Sequence, residues 1–236
     1  MNIQSSSSER ARLGILMLDS TFPRILGDVG NADTWPFPVR YAIVPGATPH
    51  AVVCEDSEPF VQAFIEAGRG LVAEGCTGIA TTCGFLAPLR SRLASALGVP
   101  VAASSLEQAP QIAACLPADK RVGILTISAS TLSSALLQSA GVPPKTPVQG
   151  VDGGSFAKCI LGNETRLDVA AARAEMEAGA KALVSAHPNV GAILLECTNM
   201  VPYAQDIHTA TGLPVHSIYG YLRWFHQSLA PSHFDN

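Results

Sequence analysis

The sequence predicts an α/β fold: two similar parallel-sheet lobes related by a pseudo-two-fold axis, with the active cleft between them. Three observations support this prediction. Short apolar runs alternate with longer amphipathic stretches, which is typical of a parallel sheet covered by helices on both faces. Turn residues of the first half recur in the second half at a constant spacing. The 236 residues also suffice to bury a sizeable core.

Apolar runs predict the strands, because strands that are buried on both faces lack polar alternation. Seven strands are predicted at 12–18, 39–44, 76–82, 99–103, 121–127, 190–195 and 214–217, and 146–151 is a weaker eighth. The amphipathic stretches predict helices at 56–74, 85–97, 106–115, 130–140, 165–186, 200–211 and 218–229.

The order of these elements divides the chain into two lobes. We expect the first lobe to comprise residues 1–105 together with 218–236, and the second lobe to comprise residues 106–217. The stretch 218–229 follows the final strand and has no later strand to cover. We therefore expect this last helix to pack back onto the first lobe.

An internal repeat is visible when residues 78–101 are aligned with residues 192–215, a constant shift of 114. Identities then fall at a strand end, in a helix start, at a helix-ending glycine and at the next strand. The matched pairs are Cys83 with Cys197, Pro88 with Pro202, Gly98 with Gly212, Pro100 with Pro214 and Val101 with Val215. Such a repeat indicates two halves of similar α/β structure.

Composition excludes several classes of protein. A charged fraction of 14% with 47% hydrophobic residues excludes a disordered chain. A net charge of −4 argues against a nucleic-acid binder, which would present a basic face. No apolar run approaches the ~20 residues of a membrane span, and the first residues carry no export signal. We expect a cytoplasmic protein with no nucleic-acid or membrane partner, and the sparse charge favours a homo-oligomer.

The sequence contains no recognisable metal or cofactor motif. The six cysteines lack close pairs, the six histidines lack metal-ligand spacing, and no glycine motif for phosphates or dinucleotides is present. We therefore expect no metal and no cofactor. Four cysteines have no role in the predicted chemistry and are interpreted as structural: Cys54, Cys76, Cys115 and Cys159.

Cys83 and Cys197 are the predicted catalytic residues. Each stands where an apolar strand ends and a helix begins, the place where ligands of parallel sheets bind and where the helix N-terminus stabilises a thiolate. Two lobes that face each other would place the thiols on opposite sides of one cleft. One thiolate can then remove a proton from a carbon while the other thiol protonates its opposite face.

Three motifs carry a family resemblance: Leu18-Asp19-Ser20, Thr82-Cys83-Gly84 and Glu196-Cys197-Thr198-Asn199. Together they resemble the aspartate/glutamate/hydantoin racemase superfamily over about residues 12–220. Gly84 and Asn199 depart from the glutamate racemase pattern, and Thr21–Arg24 replaces its Gly-rich segment. These departures argue against glutamate as the substrate. The resemblance implies that two cysteines act as acid and base without pyridoxal phosphate.

Residues beside the thiols and after the first strand of each half are the predicted substrate-binding groups. Hydroxyls and N–H groups at helix starts suit a carboxylate or an enolate, although Thr and Asn there also favour helix caps. No Arg or Lys is assigned to the cleft, so neutral donors are expected to hold a substrate carboxylate. The predicted residues are Asp19, Ser20, Thr82, Gly84, Phe85, Ser128, Thr198 and Asn199.

Two features are left open at this stage. Glu196 either sets the charge state of Cys197 or is an ordinary acid at a strand end. The rigid segment Trp35–Pro38 either covers the cleft or buries an interface.

The sequence thus predicts an isomerase, namely a cofactor-independent racemase or epimerase of an amino acid, a related carboxylate or a hydantoin. Its small-molecule carboxylate substrate is not identified, nor is the cysteine that serves each enantiomer. Enzymes similar to maleate isomerase or arylmalonate decarboxylase are alternatives within the superfamily. A non-enzymatic small-ligand-binding protein is a further alternative, but it leaves the two matched thiols unexplained.

Overall fold

The computed structural model describes residues 12–232; the outer parts of the predicted first lobe, 1–11 and 233–236, lie outside this range. All eight predicted strands are present within it. They are β1 (Leu13–Leu18), β2 (Val39–Val44), β3 (Gly78–Thr81), β4 (Val101–Ala102), β5 (Arg121–Thr126), β6 (Val148–Gly150), β7 (Val190–Leu195) and β8 (Val215–His216).

Eight α-helices cover the strands in the described range. They are α1 (Val61–Ala73), α2 (Arg90–Leu97), α3 (Ala109–Cys115), α4 (Ser134–Ser139), α5 (Ser155–Leu161), α6 (Val169–Ala186), α7 (Ala204–Thr211) and α8 (Ile218–Leu229). Short 3₁₀ helices lead into four of them, at Glu58–Phe60, Gly84–Leu89, Ser105–Gln108 and Thr198–Tyr203.

The strands form two four-stranded parallel sheets of the same topology. The orders are β2-β1-β3-β4 and β6-β5-β7-β8, and every pair is parallel. The central strands β1, β3, β5 and β7 are almost entirely buried, as expected for sheets covered on both faces. The predicted fold class, two similar α/β lobes, is confirmed.

The internal repeat corresponds to equivalent positions in the two lobes. Helices α2 and α7 both end at a left-handed glycine, Gly98 with φ 68° and Gly212 with φ 69°, a conformation that a side chain would strain. The next proline of each lobe accepts an equivalent hydrogen bond, at 3.0 Å from Ile79 N–H and 2.9 Å from Ile193 N–H. Residues separated by 114 positions therefore play the same structural role.

Helix α8 packs against the first sheet, although it follows the last strand of the second. Ile218, Leu222 and Phe225 are buried in a cluster with residues of β1, β3 and β4. The segment Trp35–Pro38 packs on the same helix: the ring centroids of Trp35 and Tyr219 are 5.5 Å apart. This aromatic segment is therefore part of the core around α8 and does not cover the cleft.

Three elements were not predicted from the sequence: the 3₁₀ helix Ala32–Thr34, the π-helix Ala51–Glu55 and helix α5. The α5 sequence is too short to show a helical period. Its first N–H groups are capped from a distant part of the chain, since the Glu175 carboxylate of α6 accepts from Ser155 N–H at 2.7 Å and from Phe156 N–H at 3.1 Å. Such a cap cannot be seen in the local sequence.

Candidate active site

The carboxyl ends of the central strands of both sheets meet at a small cavity between the lobes. Its walls come from the segments that follow β1, β3, β5 and β7. The cavity volume is about 20 Å³, which is room for a single water molecule. Seven of the residues predicted for the site line this cavity: Thr82, Cys83, Gly84, Phe85, Cys197, Thr198 and Asn199.

Cys83 and Cys197 hold equivalent positions in the two lobes. Each is the N-cap residue of a 3₁₀ helix that follows β3 or β7. Each has only 7% of its surface exposed. The two thiols are close enough for the charge of Cys83 to raise the pKa of Cys197. The fold thus brings both predicted catalytic residues to one cavity.

The surroundings of both thiols favour their neutral form. Burial is the largest cause, because it penalises a thiolate and raises the pKa of Cys83 and of Cys197 well above the usual value. The nearby Glu196 carboxylate raises both pKa values further. Ionisation of either thiol therefore requires a change of charge or of hydration in the cavity.

The surroundings of the two thiols are nevertheless unequal. The positive charge of Arg24 lowers the pKa of Cys83, whereas the negative charge of Asp28 raises that of Cys197. The Cys197 thiol also donates a long hydrogen bond of 3.5 Å to Asn199 Oδ1. Asn199 is held in this orientation because its Nδ2 donates to Asp28 Oδ2 at 2.5 Å. The charged groups beside the two thiols thus act on their pKa values in opposite directions.

Glu196 lines the cavity together with both thiols and is 1% exposed. Burial raises its pKa to about 7, although a hydrogen bond from Thr126 Oγ1 at 2.8 Å opposes this rise. A Cβ atom at Gly84 would overlap the Glu196 carboxylate and would lie 2.7 Å from its carbonyl oxygen, so the absence of a side chain there makes room for this acid. Glu196 can therefore exchange a proton near neutral pH, and its charge state controls the potential at both thiols.

Arg24 supplies a cation to the cavity wall. Its Nη1 pairs with Asp28 Oδ1 at 3.0 Å, and its Nη2 donates to Ser20 Oγ at 2.8 Å. Asp28 is 2% exposed and also accepts from Asn199. A continuous chain of polar contacts therefore runs from Arg24 to Cys197.

Hydrogen bonds join the two lobes beside the cavity. Thr198 Oγ1 of the second lobe donates to the Thr82 carbonyl of the first at 2.8 Å. Within the first lobe, Thr82 Oγ1 accepts from the backbone N–H of Leu18 at 3.2 Å. Ser105 Oγ donates to the Leu195 carbonyl at 2.7 Å. These two threonines therefore connect the lobes as well as lining the cavity.

Three predicted substrate-binding residues do not line the cavity. The Asp19 carboxylate accepts from the backbone N–H of Gly46 at 2.9 Å, and Ser20 accepts from Arg24. Ser128 donates to Asp152 at 2.8 Å. Asp19 and Ser128 are bonded by other segments and Ser20 by Arg24 of its own segment, so their positions after strands β1 and β5 did not bring them to the ligand space.

Sequence reasoning missed Arg24 and Asp28, which enter the site in the segment that follows β1. The available signal was the replacement of the Gly-rich segment of glutamate racemases by Thr21–Arg24. In the sequence, charged residues in a turn-rich segment are typical of a solvated loop. Only the packing of this segment over the cavity shows its role.

The remaining cysteines lie away from the cavity, and each is a free thiol. Cys76 and Cys159 are buried, Cys54 is partly buried and Cys115 is exposed. Among residues 12–232, no group of three or more His, Cys, Asp or Glu side chains is arranged to hold a metal ion. Within the same range, no helix combines the length and the apolar character that a membrane crossing needs.

Comparison with curated proteins finds relatives of one named activity, whereas no protein-family model matches the chain. A dimethylsulfoniopropionate lyase of Durusdinium sp. clade D is 30% identical over 221 residues, which covers 88% of this chain and 71% of the relative. Dimethylsulfoniopropionate lyase 6 of Emiliania huxleyi (strain CCMP1516) is 29% identical over 221 residues, covering 88% and 57%. This chain thus spans little more than half of that second relative.

Solved structures with the same two-lobed fold share little sequence with this chain. Allantoin racemase from Klebsiella pneumoniae has a TM-score of 0.65 at 18% identity and covers 95% of both chains. Arylmalonate decarboxylase has a TM-score of 0.60 at 17% identity and covers 94% of both. Glutamate racemase from Francisella tularensis has a TM-score of 0.57 at 15% identity, covering 96% of this chain and 85% of its own.

Proposed function

We propose that this chain, which belongs to the family of the dimethylsulfoniopropionate lyases within the aspartate/glutamate/hydantoin racemase superfamily, eliminates a sulfonium group from a short carboxylate. The superfamily predicted from the sequence motifs is thereby confirmed. The observation that carries the proposal is a small cavity lined by two buried thiols, whose ionisation an added positive charge would favour. A sulfonium substrate brings that charge with it.

The chemistry requires one base. In a propionate with the sulfonium on its β carbon, a thiolate removes a proton from the carbon next to the carboxylate. The C–H electron pair forms the carbon–carbon double bond, and the C–S bond breaks with its pair leaving on sulfur. The products are dimethyl sulfide and acrylate, and the thiolate has become a thiol. It returns its proton to solvent before the next turnover.

The charges of the cavity suit a substrate without net charge. Among the described residues that line it, Arg24 and Glu196 are the charged ones, and Arg24 is already paired with Asp28. A positive group close to a buried thiol lowers its pKa, so the bound sulfonium favours the thiolate. The Phe85 ring, which also lines the cavity, offers a surface that attracts cations.

Proton removal beside a carboxylate builds negative charge on the carboxylate oxygens. Gly84 and Thr198 are the first residues of the two 3₁₀ helices, and backbone N–H groups there have no partner within their own helix. We assign these neutral groups, with Thr82 and Asn199, to the stabilisation of that charge. Because the cavity has room for only about one water molecule, substrate binding also requires its walls to separate.

The direct test is the release of dimethyl sulfide from dimethylsulfoniopropionate by the purified protein, measured by headspace gas chromatography with acrylate followed by NMR. We expect the two products in equal amounts. Cys83→Ala and Cys197→Ala are compared with Cys76→Ala, a matched control at a buried thiol outside the cavity. We expect the control to keep full activity and at least one cavity variant to lose a factor of about 10³ or more. Absence of dimethyl sulfide from the wild-type protein would refute the assignment.

A racemase or epimerase, the function predicted from the sequence, is the second candidate. It is favoured by the equivalent positions of Cys83 and Cys197 in the two lobes, because inversion needs an acid and a base on opposite faces of one carbon. Incubation of amino-acid and hydantoin enantiomers in D₂O, followed by NMR, separates the candidates. A racemase would exchange the α-proton of both enantiomers, and its two cysteine variants would prefer opposite enantiomers. The lyase is expected to do neither.

A further inference from the structure

We propose that Arg24 determines the specificity of this cavity by binding the carboxylate of a monocarboxylic substrate, an inference that rests on the proposed function for the identity of that substrate. The sequence predicts that neutral donors hold the carboxylate. The position and the hydrogen bonds of Arg24 indicate a charged clamp.

The guanidinium group of Arg24 is held in place before any ligand binds. Its side chain is 13% exposed and lines the cavity. The guanidinium carbon lies 4.4 Å from the centre of the Phe22 ring. The backbone of Gly30 approaches the group closely, since a Cβ atom at that position would lie 2.9 Å from Arg24 Nε. A planar group confined in this way loses little freedom when it binds a ligand.

The donors of Arg24 are only partly used. A guanidinium group has five N–H donors. One Nη1 contact goes to Asp28 and one Nη2 contact goes to Ser20, while the buried Nε has no hydrogen-bond partner among the described residues. A buried donor without a partner is unfavourable. A carboxylate accepts from two guanidinium N–H groups at once, so the ligand chemistry that matches these free donors is an acid.

Carboxylate binding at Arg24 would also position the reacting carbon. The α carbon is bonded directly to the carboxylate, so fixing one places the other within the same small cavity as Cys83 and Cys197. The positive charge of Arg24 already acts on the Cys83 thiol. Arg24 is therefore suited to hold the substrate and to favour charge at the reaction site.

The same cavity disfavours a second carboxylate. No other Arg or Lys occurs among the described residues that line it, and Glu196 would repel an additional anion once it is ionised. A dicarboxylic acid would leave one charge buried without a partner, which is strongly unfavourable. Monocarboxylates, in particular those with a cationic group at the other end, are the substrate class that fits.

The test separates binding from catalysis by using propionate as a probe, with propionamide and succinate for comparison, in isothermal titration calorimetry. The variants are Arg24→Gln and the conservative Arg24→Lys, which keeps a charge beside Asp28 but removes the planar fork. The control is Arg90→Gln, because Arg90 also faces a buried carboxylate, that of Glu107 at 3.5 Å, but lies outside the cavity lining. Circular dichroism establishes that each variant is folded.

We expect the wild-type protein to bind propionate more tightly than propionamide or succinate. Propionate affinity should fall at least tenfold in Arg24→Gln and in Arg24→Lys and stay unchanged in Arg90→Gln. In the two Arg24 variants, the KM for dimethylsulfoniopropionate should rise by a larger factor than kcat falls. Unchanged propionate affinity in folded Arg24→Lys, or no binding by the wild type, would overturn the role of Arg24 even if dimethyl sulfide is released. Arg24-dependent propionate binding without dimethyl sulfide release would support this role and overturn the lyase assignment instead.

Discussion

Replacing Glu196 by Gln should prevent a loss of stability that the wild-type protein undergoes as the pH rises from acidic to alkaline values, although the substitution alters the cavity wall. Glu196 is 1% exposed, and burial raises its pKa from 4.5 to about 7. The folded protein therefore binds a proton at this residue more tightly than the unfolded chain does. Stability from this source is fully present below pH 4.5 and is lost as the pH rises to 7. Glutamine carries no such charge at any pH.

The size of the effect follows from the two pKa values. Each pKa unit corresponds to about 1.4 kcal/mol, so the ionisation of Glu196 lowers the free energy of unfolding by about 3 kcal/mol once the pH exceeds 7. Between pH 5 and pH 8 the wild-type protein should lose about 2.5 kcal/mol that the Glu196→Gln variant keeps. The Gln side chain can still accept from Thr126 Oγ1, and any pH-independent cost of the exchange cancels in this comparison.

Urea denaturation at pH 5 and pH 8, followed by circular dichroism, measures the difference directly. Glu66→Gln is the control, because it removes the same formal charge from an exposed position of α1. We expect the control to follow the wild-type pH dependence and Glu196→Gln to depart from it. If the free energy of unfolding of the Glu196→Gln variant showed the same pH dependence as the wild type, Glu196 would be ionised throughout and the assignment of its charge state would be wrong.

Three further predictions concern packing. Thr198→Val removes the hydrogen bond between Thr198 and the Thr82 carbonyl of the other lobe. It should lower the free energy of unfolding, measured by urea denaturation, by about 1–3 kcal/mol and raise KM. If neither quantity changed, this hydrogen bond would not connect the lobes. Trp35→Ala should lower the free energy of unfolding by about 3–5 kcal/mol. A decrease below about 1 kcal/mol would mean that this ring is not part of the core. Gly84→Ala would overlap the Glu196 carboxylate, so kcat/KM should fall at least tenfold. The control is Gly70→Ala, at a helix position with open space around it, which should keep the wild-type kcat/KM. If the Gly84→Ala and Gly70→Ala variants had the same kcat/KM, the contact between residue 84 and Glu196 would be contradicted.

The fold could be predicted because its elements are encoded in short stretches of sequence. The apolar runs of β1, β5 and β7 are continuous since both faces of each strand are buried. The repeat placed Cys83 and Cys197 at equivalent strand ends, which in a parallel fold is the ligand-binding edge. Helix α5 escaped prediction because its cap comes from Glu175, about twenty residues away.

The sequence by itself determined the α/β class, the two-lobed repeat, the superfamily and the two thiols, because each depends on periodicity or on residues a few positions apart. Only the tertiary structure decided the charges of the cavity. It brought Arg24 to the wall of the cavity and Asp28 into contact with Asn199, and it buried Glu196 in the same cavity lining as both thiols. The physical reason is that the charge state and partners of an ionisable side chain depend on desolvation and on distances between segments far apart in the chain.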